Sequence, residues 1–390
     1  MKIVYIAPYS PWGPDFGGRM RVRMIWQILS ERHDTELMVV GDEPSAAAEL
    51  SARAAEFFPA ATETPAGRAR RIARAMLTGR SIPAARYLWP KRERLITAKV
   101  RAARPDVVVL GDTYLAELCA PLRSRVPGVR IIADTMNVES ELHAGVAAAA
   151  GSALVRFAYR ALASNTEALE RRALKLADQV WAASEENARS YRQRFGLGNV
   201  AVVLNAVPRR EPAGDGDADI VLFVGTFAYL PNAQAAECLL QVSQELAQSG
   251  VKHRLWLVGR SPDAALQKAV AAVPHAEMFA DVPEVQSYIK RCAVFAAPFL
   301  SGSGTKLKIA EALMSGKAVV TTPHGAEGLA MTPGLEFVLA DPEHFVPALA
   351  ALLADPTLRR RIGIAGREWA LQNLTYDRVS RDMETALANL

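Results

Sequence analysis

The chain has 390 residues, half of them apolar and 22% charged, with a formal net charge of +5. That length is enough for two domains with self-sustaining cores, and the composition is that of a soluble globular enzyme. Three separated cysteines, Cys119, Cys238 and Cys292, form no CxxC or Cys/His pairing, which excludes a disulfide framework and a zinc site and fits a reducing cytoplasm.

The first segment, "MKIVYIAPYS", reads as a strand without the long apolar region of an export signal. It leads into "YSPWGPDFGGRMRVR", where Gly17 and Gly18 precede a helical pattern bearing Arg19, Arg21 and Arg23. Glycine allows close backbone approach, and a helix start offers N–H groups to an anion. A glycine turn before a helix is also common without a ligand.

Between Gly67 and Arg104 the chain carries 12 Lys or Arg against Glu93 alone, so the remainder is net acidic. In "RARRIARAMLTGR" the basic residues are interleaved with Ile72, Met76 and Leu77 at helical spacing. Such a helix is either a solvated face or a contact for an anionic bilayer. Nucleic acid ranks behind both, since no aromatic-interleaved binding motif accompanies the charge. The longest weakly polar run, "VAAAAGSALV" from Val146, is about half of the roughly 20 residues a membrane span requires.

Strands are expected at "TELMVV", "DVVVL", "RIIAD", "QVWAAS" and "VAVVL", with helical patterns between them. This alternation predicts an α/β fold with an open, doubly wound parallel sheet. "NAVPRREPAGDGDAD" from Asn205 has no periodicity and reads as a linker. The strand–helix rhythm then restarts with "IVLFVG", "HRLWLVG", "AVFAAPF", "AVVTT" and "EFVLA". The expected organisation is an N-terminal domain over 1–205, a linker over 206–218, a second domain over 219–373 and a C-terminal helix over 374–390 that could pack on either domain, including back on the first. In open parallel sheets ligands sit beyond the carboxyl ends of the strands. Two such sheets facing each other would form a cleft lined by those loops.

Three further glycine loops follow strands of the second domain. "FVGTFAYLPNAQA" has Gly225 and Thr226, and "LVGRSP" has Gly259 and Arg260; each alone is more often a plain turn than a site. The third is "PFLSGSGTKLKIAEALMSGKAVV" from Pro298. It is not a P-loop, because Gly316-Lys317 is followed by Ala318 and Glu311 stands where that motif needs its first glycine. It instead offers main-chain N–H groups at Gly304, Thr305 and Lys306, with Lys306 and Lys308 as cations for a diphosphate. Glu311 lies further along the helix, able to accept hydrogen bonds from paired ribose hydroxyls. A glycine turn before an amphipathic helix with a solvated glutamate is the plainer reading.

Taken with "PHGAEGL" after it, and with "GGRMRVRMIWQILSERHDTELMVV", "ADQVWAASEENARSY" and "VVLNAVP", this stretch resembles glycosyltransferase family 4, in a branch with a Gly-Thr-Lys-Leu-Lys donor loop. The resemblance spans nearly the whole chain. It implies a GT-B architecture of two facing Rossmann-like domains and a retaining, metal-independent hexosyl transfer from a nucleotide diphosphate sugar. The acceptor would be a hydroxyl of a glycan or lipid-linked molecule in cell-surface polysaccharide or glycolipid assembly. The basic Arg68–Arg104 region lies in the domain that receives the acceptor in this architecture, which adds the expectation of a cytoplasmic enzyme, peripheral on the inner face of the membrane; no cofactor beyond the co-substrate and no nucleic acid partner are expected.

Carried onto this sequence, the family motif makes Glu311 its second glutamate, on the ribose. Its first glutamate is absent, Ser303 standing there. Thr226 and Pro231 occupy the places of a family Arg and Lys, and Met136 in "IIADTMNVES" replaces a histidine. Lys306 is therefore the first candidate to neutralise the diphosphate, followed by Lys308, Arg260 and Arg19. Asp134, Asn137 and Glu139 remain as polar candidates. The family's mechanism needs no protein nucleophile: a donor phosphate oxygen takes the acceptor's proton while the protein positions the groups and stabilises charge. The alternatives are a non-catalytic nucleotide-sugar-binding partner and an epimerase on the same fold. A nicotinamide oxidoreductase ranks last, for want of Gly-x-Gly-x-x-Gly after the first strand.

Overall fold

The computed structural model of the protein describes residues 1–12, 17–41, 56–58, 65–301 and 306–390. It divides into one unit of residues 1–205 with 380–390, and a second of residues 206–379.

The first unit holds a parallel sheet of β1 (Lys2–Ala7), β2 (Asp34–Val40), β3 (Glu56–Phe58), β4 (Val107–Leu110), β5 (Arg130–Thr135), β6 (Gln179–Ala182) and β7 (Val200–Val202). Their order is β3-β2-β1-β4-β5-β6-β7. The central strands are apolar runs because helices cover both faces, and all of β4 is buried. The helix Gly17–Arg32 shows the matching helical pattern, burying Val22, Ile25, Ile28 and Leu29. The chain's last helix, Tyr376–Ala388, contributes its final turns to this unit. There the Ala386 carbonyl accepts from the Gln179 amide nitrogen at 3.0 Å, and Glu384 meets the His33 ring at 3.0 Å.

The second unit repeats the plan with β8 (Ile220–Thr226), β9 (Arg254–Arg260), β10 (Ala276–Ala280), β11 (Val294–Ala297), β12 (Ala318–Thr321) and β13 (Val338–Leu339). The order is β10-β9-β8-β11-β12-β13, again all parallel. Each sheet therefore has one point at which successive connections run in opposite directions: between β1 and β4 in the first, between β8 and β11 in the second. A crevice opens at such a point beyond the carboxyl ends of the strands. No regular element lies between Val202 and Ile220, a stretch that contains the 206–218 segment expected as a linker.

Several expected elements are shorter than their apolar patterns, two of them beside the second sheet's crevice. β11 stops at Ala297 rather than Phe299, and the helix after it runs Leu307–Met314. Among the described residues no helix is long and apolar enough to cross a membrane.

Candidate donor site at the second sheet

The second unit's crevice is built from residues that follow β8 and β11. Phe299, just past β11, is buried, and its ring meets that of Phe223 from β8 edge-on at 5.8 Å. Over this aromatic floor lie two ammonium groups. Lys306 Nζ is 5.8 Å from the Phe299 ring centre, and Lys308 Nζ is 5.0 Å from it and 5.4 Å from that of Phe223. Lys306 is only 8% exposed and caps the Leu307–Met314 helix, its carbonyl accepting from Ile309 N at 2.8 Å.

Lys308 donates to Asn232 Oδ1 at 2.6 Å, and Asn232 in turn donates from Nδ2 to the Thr226 carbonyl at 2.8 Å. Asn232 thus ties the start of helix Leu230–Gln248 to the end of β8 and orients one lysine. Burial lowers the Lys306 pKa to about 8, with Glu327 opposing, and the Lys308 pKa to about 7, with Lys306 adding repulsion and Glu311 opposing. Desolvation disfavours the charged amine, and a neighbouring cation disfavours it again. The arrangement concentrates positive potential in a place from which water is largely excluded, where an anion gains most.

Glu311 is half-buried, one helical turn from Lys308 and close enough to support its charge. Gly225 and Gly259 face each other across β8 and β9. A Cβ on Gly259 would sit 1.7 Å from the Gly225 carbonyl oxygen, so strand approach alone demands glycine there. A Cβ on Gly225 would press on Asn232 at 3.1 Å. Thr226 is exposed; Arg260 is half-buried, and its carbonyl accepts from Phe227 N at 2.8 Å. Gly304 and Thr305 lie outside the described residues. Sequence reasoning missed Asn232, Phe223 and Phe299; the only signal for Asn232 was its place in the first turn of a helix after a Gly-ended strand.

In the first unit Gly18 and Arg19 open the Gly17–Arg32 helix, and Arg19 Nε donates to the Ser10 carbonyl at 3.0 Å. Arg21, 1% exposed, donates to both oxygens of Asp134 and to Asn205 Oδ1 at 2.8 Å. Asp134 is fully buried by this pair, so it is a structural group and no longer a candidate for binding. Asn137 and Glu139 do come together: Asn137 Nδ2 donates to Glu139 Oε1 at 3.0 Å, and the Tyr114 hydroxyl donates to Oε2 at 2.9 Å. His143 Nε2 lies 3.0 Å from the same hydroxyl. Met136, at the place of the family histidine, accepts from the Tyr9 hydroxyl through Sδ at 3.6 Å. Beside this group burial pushes Asp112 up to about 7, helped by the Glu139 charge, and burial likewise pushes Glu170 up to about 7. Glu170 Oε1 accepts from Glu139 N at 2.8 Å, holding the start of helix Glu139–Ala149. Among the described residues no group of three or more His, Cys, Asp or Glu side chains is placed to hold a metal ion.

Residues 218–355 match the family model described as Glycosyl transferases group 1. That match lies within the second unit. No curated protein matches the sequence. Among solved structures the chain is similar to sucrose-phosphate synthase from Thermosynechococcus elongatus, with TM-score 0.74 and 15% identity over 100% of this chain and 98% of that one. It is similar to Anabaena HepE in complex with UDP and glucose, with TM-score 0.69 and 13% identity over all of both chains. The lipopolysaccharide outer core galactosyltransferase WaaB matches at TM-score 0.69 and 14% identity, over 100% of this chain and 99% of that one. At such identities the likeness shows the fold: two parallel-sheet α/β units of the GT-B glycosyltransferase type.

Proposed function

We propose that the protein is a retaining, metal-independent glycosyltransferase that moves a hexose from a nucleotide diphosphate sugar to a hydroxyl of a glycan or lipid-linked acceptor. The observation that carries this reading is the lysine pair at the second sheet's crevice, two desolvated cations brought together over Phe299 beside Glu311. A diphosphate there offsets their mutual repulsion, and its developing charge as the glycosidic bond breaks is what they would stabilise. Glu311 would take the ribose hydroxyls. Main-chain N–H groups at the start of the helix would share the phosphate oxygens. Asn137 and Glu139 are the polar groups we assign to sugar orientation, with a donor phosphate oxygen taking the acceptor's proton. The match of residues 218–355 and the UDP bound in the similar Anabaena HepE support a nucleotide-sugar donor.

Incubation with UDP-, GDP- and dTDP-sugars and a panel of glycan and lipid-linked acceptors tests the reading, the product's anomeric configuration being read by NMR. Transfer with the donor's configuration retained is expected. Tight nucleotide-sugar binding without transfer to any acceptor would instead favour a non-catalytic partner, and epimerised donor would favour an epimerase.

For the acceptor, we infer a lipid-linked molecule at an anionic membrane surface. The helix Pro65–Leu77 exposes Arg68, Arg70 and Arg74, with Met76 66% and Leu77 88% exposed at its end. Other basic residues of the region serve internally: Arg80 pairs with Glu93 and Glu117, Lys99 pairs with Glu56 at 2.6 Å, and Arg92 stacks 3.8 Å from the Trp89 ring centre. Binding to vesicles containing anionic lipid should therefore weaken with salt and with charge reversal at Arg70, Arg71 and Arg74. Sedimentation that ignores both changes would point to a soluble acceptor.

A further inference from the structure

At the opposite end of the second sheet from the lysine pair, by the amino ends of β11 and β12, lies a cavity of about 230 Å³. Its walls come from the stretch before β8 (Pro212, Gly214, Asp215), from Ala293 and Gly316–Ala318, and from the helix Pro356–Asn373. Four cations line it, Lys317, Arg359, Arg360 and Arg367, against the single carboxylate of Asp215. Strands of four residues separate it from the crevice, about 13 Å of sheet.

The four cations are not equivalent. Lys317 is saturated, its three protons going to the carbonyls of Gly214, Lys290 and Cys292 at 2.9, 2.8 and 2.8 Å, so it supplies charge but no free donor. Arg360 holds both oxygens of Asp215, at 2.9 and 2.8 Å from Nε, on the exposed side. Arg359 is 5% exposed and donates from one terminal nitrogen to the Leu352 and Leu353 carbonyls, yet its buried Nε has no acceptor. Arg367 donates to the Arg210 carbonyl at 2.6 Å, and its buried Nε is likewise without an acceptor. Buried donors in proteins are nearly always satisfied, and both of these side chains line the cavity, so its wall of four cations and one carboxylate includes guanidinium donor capacity that the chain itself does not use. Guanidinium groups match tetrahedral oxyanions in geometry, and the volume falls below the roughly 300–1,000 Å³ of pockets for drug-sized ligands.

We propose that this cavity is a second anion site, separate from the lysine pair, that takes a phosphate group through Arg359, Arg360 and Arg367. The phosphate comes either as the free ion or as the monoester of a small sugar.

Calorimetric titration of the full chain with inorganic phosphate, and separately with glucose 6-phosphate, tests this. Binding of inorganic phosphate is expected in the wild type, weakened about tenfold or more in Arg367→Gln and in the solvent-facing Arg360→Ser, since each removes a charge-assisted hydrogen bond. Asp215→Asn, which removes the one opposing carboxylate, is expected to tighten it. In the Lys306→Ala/Lys308→Ala double variant, which removes any phosphate held at the crevice, the arginine-dependent binding is expected to persist, because these changes lie at the other end of the strands. Glucose 6-phosphate binding more tightly than inorganic phosphate identifies the ester as the ligand, and equal or weaker binding identifies the free ion. Absence of phosphate binding overturns the proposal. So does binding that survives the arginine changes but is lost in the lysine double variant, which would place the anion at the crevice.

Discussion

Lys306 and Lys308 are costly to the unliganded protein and are retained where a strand end meets a helix start. Two amines held low, at about 8 and about 7, repel each other and are mostly desolvated. Removing a preorganised charge-stabilising donor costs about 2.7–4 kcal/mol of barrier, or about 10²–10³ in kcat. We expect that loss for Lys306→Ala, measured with saturating donor. Unchanged turnover would remove Lys306 from the reaction. The same pair makes binding depend on pH in a definite sense. A diphosphate raises both amine pKa values, so above about pH 7 its binding must draw protons from solution and its affinity must fall as pH rises through 7 to 8. Titration of UDP-glucose at pH 8 in two buffers of different ionisation enthalpy should reveal net proton uptake. Release, or no proton change, would mean the lysines do not touch the diphosphate.

At the scale of elements, the crevice depends on how closely β8 and β9 can lie. Gly259 has φ +156° and faces Gly225, and an added Cβ would overlap the Gly225 carbonyl oxygen. Gly259→Ala should therefore force the two strands apart and cost about 3 kcal/mol or more, lowering the unfolding midpoint in urea. An unperturbed midpoint would mean the backbone has room to shift. These strands were legible in the sequence because both faces of each are covered, leaving unbroken runs such as "IVLFVG" and "HRLWLVG". β3 and β10 were not. Both stand at sheet edges, and β10, "AEMFA", is largely uncovered, so no apolar run marks it. The site divides the same way. Lys306, Lys308 and Glu311 could be read from a glycine-rich turn before a helix. Asn232, 76 residues before Lys308, is joined to it only by the fold. Asp134 failed for the converse reason. A carboxylate at a strand end looks like a ligand until its partner is known, and that partner, Arg21, lies 113 residues away. The sequence pattern holds no record of such pairings, because they depend on which strands become neighbours.

Across the whole molecule the two units store opposite electrostatic costs. In the first, Asp112 and Glu170 are raised from ordinary carboxylate values to about 7, chiefly by burial. Groups raised on folding contribute stability that is present at low pH and is lost as pH climbs through the folded value. The first unit should accordingly weaken between about pH 4 and 7. In the second, the lowered lysines have the reverse sign. The unfolded chain binds more protons than the folded one between about pH 7 and 10, so this unit should strengthen across that range. Below about pH 4 the surface carboxylates held low by arginine partners, Asp215 by Arg360 and Asp219 by Arg254, are protonated and lose their pairing. Calorimetric melting of the unliganded chain between pH 4.5 and 9.5 separates these contributions, because a chain of two units need not unfold in one step. One transition is expected to fall from pH 4.5 to 7 and another to rise from pH 7 to 9.5. UDP should raise the second selectively, since a ligand that binds only the folded form stabilises the unit that holds it. If both transitions move together with pH, the buried carboxylates and the buried lysines are not titrating where their surroundings require.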